Sequence, residues 1–202
     1  MKKYELTDET MTVDGVTYHR IRACKDFDVQ GYHVKAGDLG GYVESERNID
    51  QDGNGWISGL ALISGNARVC GNAHVRGNAW ISDNACVYGN AEVGGNAEVD
   101  DNARVGGNAQ ICDDAWVGGN AEVNKPSHII VIGPIGSRND YTTFFRSNDN
   151  DIIVKCGCFR GNLSEFLKKV NETHGDNKYA AEYRVAAEIA KRHIDLSEGE
   201  TE

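Results

Sequence analysis

The chain has 202 residues with 40% hydrophobic and 26% charged side chains, which describes a folded chain rather than a disordered one. Its net charge is −10, and no Lys occurs between Lys35 and Lys125, so a groove that tracks a phosphate backbone is disfavoured and no polynucleotide partner is expected. Gly is abundant at 24 residues against 2 Pro, a balance that calls for many tight turns.

The first ten residues, MKKYELTDET, lack the apolar stretch of a secretory signal, and no run reaches membrane-spanning length. Six Cys lie scattered at 24, 70, 86, 112, 156 and 158, without the density of a disulfide-stapled secreted domain. A cytoplasmic protein with reduced thiols and no membrane partner is the expectation. Residues 1–50 contain a hairpin signal, Asp14-Gly15 between Met11 to Val13 and Val16 to Tyr18. A stretch from Val34 to Val43 leads through Glu44, Ser45 and Glu46 toward a repeat, and Ile49 falls one period after Val43, where a degenerate first coil is expected. These residues read as an N-terminal β cap.

The repeat occupies residues 51–124. An aliphatic residue returns every six positions from Ile57 to Val123, with Ala four positions after each of the first eleven, from Ala61 to Ala121. Between them sits a Gly-Asn or Asp-Asn pair, as in Gly71-Asn72 and Asp83-Asn84. A period of six matches neither a helix nor a plain strand alternation; it fits a short strand with one inward side chain followed by a corner. Gly and Asn tolerate the left-handed backbone such a corner needs, Ala leaves the corner room to bend, and stacked Asn side chains form ladders along the axis.

The unit Val-x-Gly-Asn-Ala-x resembles the hexapeptide repeat of left-handed parallel β-helices. That resemblance implies coils of three hexads and a prism of nearly four coils, roughly 18 Å long at about 4.8 Å per coil. It implies fold rather than function. Outward positions three hexads apart share a wall, so Leu62, Trp80, Glu98 and Trp116 line one side. Arg68, Cys86, Arg104 and Glu122 line another, and Trp56, His74, Glu92 and Gln110 the third. The Trp wall is the one apolar along most of its length and reads as an interface. Related coils trimerise side by side, so the resemblance implies a homotrimer; docking of the terminal domain of the same chain is the competing use of that wall.

Residues 125–202 read as a small α+β domain, with strands over 128–132, 141–146 and 152–156. One helix opens on Asn162 with Glu165 at capping-box spacing. A second runs from about Tyr179 to His193, with Tyr183, Ala186, Ala187 and Ala190 on one stripe. The fold class is therefore mainly β: a parallel β-helix with an N-terminal β cap and a C-terminal α+β domain.

Three blocks resemble a group of phage and prophage proteins. They are Ile21 to Ala23 with Gly37 to Ser45; the Gly-Asn-Ala run; and Gly133 to Tyr141 with Cys156 to Phe159 and Thr173 to Asp176. The resemblance implies a phage origin and a host-cytoplasm setting, and no particular activity.

Candidate chemistry is sparse. Acyltransferases with this type of coil use a His on a protruding loop; no loop interrupts residues 57–123, and His74, on an outward strand position, reads as a solvated surface residue. Cys156 and Cys158 are expected on the same side of one strand as ordinary buried thiols, without enough partners for a metal. The loop from Gly133 to Arg138 lacks the Gly-Lys-Ser/Thr spacing of a Walker loop but suits an anion nest. Gly136, Ser137, Arg138, Asn139 and Thr142 are its candidate ligand-binding residues, weighed against a plain structural turn. No cofactor and no metal is implied. Three functions compete: a trimeric, non-catalytic module binding a host factor or a small anionic, nucleotide-like ligand, with a role against a host defence; an acyl- or nucleotide-sugar transferase; and a structural part of a virion. The uninterrupted coils argue against the second, and the Cys usage weakly against the third.

Overall fold

The computed structural model describes residues 2–197. Its centre is a parallel β-solenoid of stacked coils with three walls. Each hexad contributes a two-residue strand, from Trp56–Ile57 through Glu122–Val123, whose second residue points inward. Every inward aliphatic from Ile57 to Val123, and every corner Ala from Ala61 to Ala121, is no more than 2% exposed, so the interior is one column of methyl-bearing side chains.

The corners follow from the Gly/Asp-Asn pair. Asp83, Asp101 and Asp113 take left-handed backbone at φ 57°, 54° and 56°, in the place Gly takes elsewhere. At Gly77 the demand is double: φ is +72°, and a Cβ would stand 2.7 Å from the Gly95 carbonyl oxygen of the next coil. The Asn side chains form a ladder at each corner, Asn66 to Asn84 to Asn102, Asn72 to Asn90 to Asn108, and Asn78 to Asn96 to Asp114, with donor–acceptor distances of 2.9–3.3 Å.

The N-terminal strands β1 (Tyr4–Val13), β2 (Val16–Ala23) and β5 (Leu39–Val43) are continuous with the solenoid. β1 and β2 form the expected hairpin, and β5 pairs with β2 on one side and, in parallel, with Leu62–Ile63 on the other. The coil register therefore reaches back to Val43, and Ile49 pairs in parallel with Val69, as the degenerate coil requires. A further hairpin, β3 (Phe27–Val29) and β4 (Tyr32–Val34), lies against the wall of Trp56 and His74.

The C-terminal unit is an antiparallel meander, β6 (Ile129–Ile135), β7 (Asp140–Arg146), β8 (Ile152–Cys156) and β9 (Phe159–Asn162), with α1 (Leu163–His174) and α2 (Lys178–His193) on one face. Alternation along β7 sends Phe144 toward the helices and Phe145 into the solenoid's end, both fully buried. The end of the solenoid is thereby closed. Along the Trp wall the amides of Leu62, Trp80 and Glu98 each donate to the next coil; on the last strand the Trp116 N–H instead donates to the Thr143 hydroxyl at 3.3 Å. Ala121 bridges to Ser147, and Arg160 pairs with Asp101 at 2.8 Å across the same seam. The capping box of α1 is present, with the Asn162 side-chain Oδ1 accepting from the Glu165 amide and the Glu165 carboxylate from the Asn162 amide, both at 2.9 Å. Among the described residues no helix is long and apolar enough to cross a membrane.

Candidate functional site

The β6–β7 strands run further than the sequence suggests, to Ile135 and from Asp140, so the Gly-rich stretch contracts to a loop of Gly136, Ser137, Arg138 and Asn139. Two of these residues, Gly136 and Asn139, have positive φ. The loop is pinned from inside. Its Gly136 amide donates to the Glu182 carboxylate at 2.7 Å, and the Asn139 amide to the Gly136 carbonyl at 3.2 Å. Gly136 has no room for a side chain, since a Cβ would lie 2.0 Å from the Tyr183 ring. Two of the four loop amides, those of Gly136 and Asn139, thus already have partners within the chain.

Ser137 and Arg138 open onto a cleft of about 270 Å³ between the loop, the β8–β9 turn and the two helices. Its floor is aromatic and apolar: Phe166, Val170 and Tyr183 are buried, with Phe159 beside them. The ring of Phe166 packs against Phe159 and Tyr183 at centroid distances of 5.6 Å, and His174 lies 5.8 Å from Tyr183. Its rim carries Arg138, Lys169, Ser137, Thr173 and Cys158, all exposed. Burial, then the adjacent Cys156 thiol, pushes the Tyr183 phenol up to about 12, so it stays a neutral donor at neutral pH. Thr142 is fully buried below the cleft and donates to the Cys156 sulfur at 3.4 Å; it sets the wall of the cleft without lining it, and Gly136 and Asn139 shape the loop in the same indirect way.

Several expectations change here. Cys156 and Cys158 do not share a strand: β8 ends at Cys156, and Gly157 with φ +56° and Cys158 form the two-residue turn into β9, which leaves Cys158 exposed. His74 is not solvated. It is 6% exposed, stacked under Tyr32 at 5.7 Å and hydrogen-bonded to Ser58 Oγ at 2.9 Å, and burial lowers its pKa. Among the described residues no carboxylate lies within ion-pairing distance of it. No group of three or more His, Cys, Asp or Glu positioned for a metal occurs among the described residues.

The Trp wall has the register read from the sequence, with Leu62, Trp80, Glu98 and Trp116 in successive parallel pairs. Its Trp side chains are half-buried rather than exposed. Trp116 is covered by the C-terminal unit: Phe145 lies 6.0 Å away, Lys155 and Arg160 lie over its ring at 5.2 and 4.7 Å, and its indole N–H donates to Asp100 at 2.9 Å. The terminal unit thus docks on one end of this wall, leaving Leu62, Trp80 and Glu98 beside it.

The cleft gathers residues the sequence keeps apart. Ser137 and Arg138, Cys156 to Phe159, and Thr173 with His174 come from three separate blocks, and the periodicities that placed the strands and helices gave no sign that they meet. Lys169, Phe166 and Val170 carry no signal in the sequence reading; the stripe on the second helix marks Tyr183 as core and says nothing of the cavity it floors. The fold and cleft define a class: a β-solenoid protein closed by an α+β unit that bears an aromatic cleft with a basic rim. No protein-family model matches this chain, and no curated protein matches it in sequence.

Proposed function

We propose that the chain is a phage-encoded, non-catalytic binding and assembly module of the host cytoplasm, whose C-terminal cleft takes a small anionic, nucleotide-like ligand. The carrying observation is the pairing of an aromatic floor, Phe159, Phe166 and Tyr183, with two exposed cations, Arg138 and Lys169, on one rim. A planar base stacks on such a floor while a phosphate meets the guanidinium in a two-pronged contact. The cleft's volume, near the small end for ligand sites, suits a mononucleotide-sized moiety. In this reading the solenoid is a left-handed hexapeptide coil that trimerises through Leu62 and Trp80, with Glu98 paired to a neighbour's Arg76 or Arg104, and it presents three clefts. A second occupant, a host protein, is favoured by the exposed stripe of Val185 and Ile189 on α2. In this reading, holding such a ligand would serve to counter a host defence.

Calorimetric titration of the intact protein with mononucleotides and cyclic dinucleotides tests the cleft. Saturable binding that weakens at least tenfold in Arg138→Ala and in Lys169→Ala, with unchanged circular dichroism, is the expected result. Binding that survives both substitutions, or no binding by any of these probes, contradicts it.

A further inference from the structure

The meander's outer strand β6 is an edge, and the phase of the sheet decides which of its backbone groups are open. Cys156 and Phe159 close a two-residue turn and exchange both backbone bonds, so alternation along β8 turns Ile153 and Lys155 toward β7. Their partners Phe145 and Thr143 therefore bond to β8, which leaves Phe144 and Thr142 to bond Ile130 and Ile132 of β6. Ile129 and Val131 then point their N–H and C=O groups away from the sheet. The Ile129 carbonyl shows the same phase, since it accepts from His193 Nε2 at 3.1 Å. Among the described residues nothing outside the sheet hydrogen-bonds to the Val131 backbone.

Beside this edge lies a groove of about 360 Å³, walled by Ile132 and Ile135 of β6 and by Ala181, Val185 and Ile189 of α2. The three α2 residues recur every four positions, on a stripe separate from the one that packs the core. Val185 and Ile189 are 61% and 44% exposed, the two large apolar side chains that the described part of the C-terminal unit leaves open. α2 runs antiparallel to β6 and is tied to it at both ends, by His193 on Ile129 and by Glu182 on the Gly136 amide. The groove thus lies between a fixed helix and an open strand edge.

We propose that this face binds a partner protein by strand addition: an extended segment pairs with the β6 edge at Val131 and sends alternate aliphatic side chains into the groove. The proposal rests on the host-protein reading of the α2 stripe and does not involve the anion cleft. The edge itself selects the occupant, because open N–H and C=O groups in a row are completed by another strand. A partner residue beside Ile132 stands on the same face of the sheet and enters the groove, as do the residues two positions before and after it. The paired stretch is short, since the β6–β7 register shifts after Ile132 and Pro134 has no N–H to offer.

The probe is a fluorescently labelled peptide of alternating Val and Thr with Lys at its ends, titrated against the full-length protein by anisotropy. Its control has the same composition with Val and Thr in separate blocks. Saturable binding of the alternating peptide, roughly tenfold tighter than the control, is expected. Val185→Glu and Ile189→Glu should each weaken it by roughly tenfold or more, because each puts a carboxylate in the groove. Val131→Pro should do the same, since it removes only the open N–H and no bond to β7. Methylating either the Val amides or the Thr amides of the peptide tests those bonds without altering the protein. One methylated peptide should lose binding and the other keep it, because a strand bonds through alternate residues on each side. Arg138→Ala should leave peptide binding unchanged. Loss in Val185→Glu with full binding in Val131→Pro and by both methylated peptides would keep a partner on the α2 stripe but overturn strand addition. Equal binding of the two compositions, no saturable binding, or a wild-type assembly that Val185→Glu breaks apart, which would make a second copy the occupant, also overturns it.

Discussion

The solenoid and the C-terminal unit both bury a dry core, but they specify it differently. In the solenoid each inward position sees the same surroundings, an aliphatic above and below and Ala at the corner, so local sequence settles local structure. In the C-terminal unit Phe144, Phe166 and Tyr183 find one another across β7, α1 and α2, and no repeat announces the contact. The regular part carries uniform walls and satisfied ladders. The irregular part carries the cleft, where a pinned loop, an exposed turn thiol and two cations meet. A difference of this kind is expected when a rigid scaffold bears a site built from loops.

The seam between the regions gives the largest effects. Phe144→Ala and Phe145→Ala each remove a fully buried ring and should cost about 3–5 kcal/mol. They should fail differently. Phe144→Ala loosens the helices and leaves the solenoid cooperative, whereas Phe145→Ala uncovers the solenoid's end and should promote end-to-end association. Light scattering beside thermal melts separates the two, and identical behaviour would dissolve the distinction between the cores. Within the solenoid, Ala91→Leu places a butyl group in a fully buried corner and should cost about 3 kcal/mol or abolish soluble protein. Unchanged melting of Ala91→Leu would show that the corner is looser than its packing implies.

How far the sequence alone reaches follows the same division. The period of six gave wall membership residue by residue, down to the Leu62–Trp80–Glu98–Trp116 ladder and the return to Val43 and Ile49. It could not show what covers a wall. His74 occupies the outward position read for it, yet β3–β4 buries it, and Trp116 does likewise beneath the C-terminal sheet. The short strand Phe159–Asn162 was missed because Arg160, Gly161 and Asn162 carry no apolar alternation. Without that strand, alternation puts Cys156 and Cys158 on one side of a single strand, whereas Cys156 ends β8 and Cys158 is the second residue of the turn into β9.

Smaller effects refine the seam. Asp100 accepts from the Trp116 indole through one oxygen, while the other is buried without a partner, and burial pushes its carboxyl up to about 6. Because the folded pKa lies above the ordinary 3.8, the group is best tolerated below about pH 4 and withdraws stability as pH rises through 6. Asp100→Asn should therefore melt higher at pH 7.5 by about 1 kcal/mol, a figure reduced for the side chain's partial exposure, and should lose the advantage near pH 4. A variant less stable at pH 7.5 would mean the carboxylate is favourably placed. Asn90→Ala, in mid-ladder and exposed, should cost about 0.5–1.5 kcal/mol in a denaturant melt. A zero effect there would leave corner geometry alone to hold the coils in register. Trp80→Glu should give a monomer on size exclusion with light scattering and leave the fold intact, since Trp80, unlike Trp116, lies outside the seam. An unchanged oligomer would remove this wall from the assembly.

Native mass spectrometry of the full-length protein purified from the cells that express it tests the central claim most directly, because it weighs the assembly and its retained ligand together. The account predicts a mass of three chains plus small molecules in the number of clefts, absorbing as nucleotides once released, and the three-chain mass alone for Arg138→Ala. A single-chain mass, or a retained molecule that survives Arg138→Ala and Lys169→Ala, would contradict it.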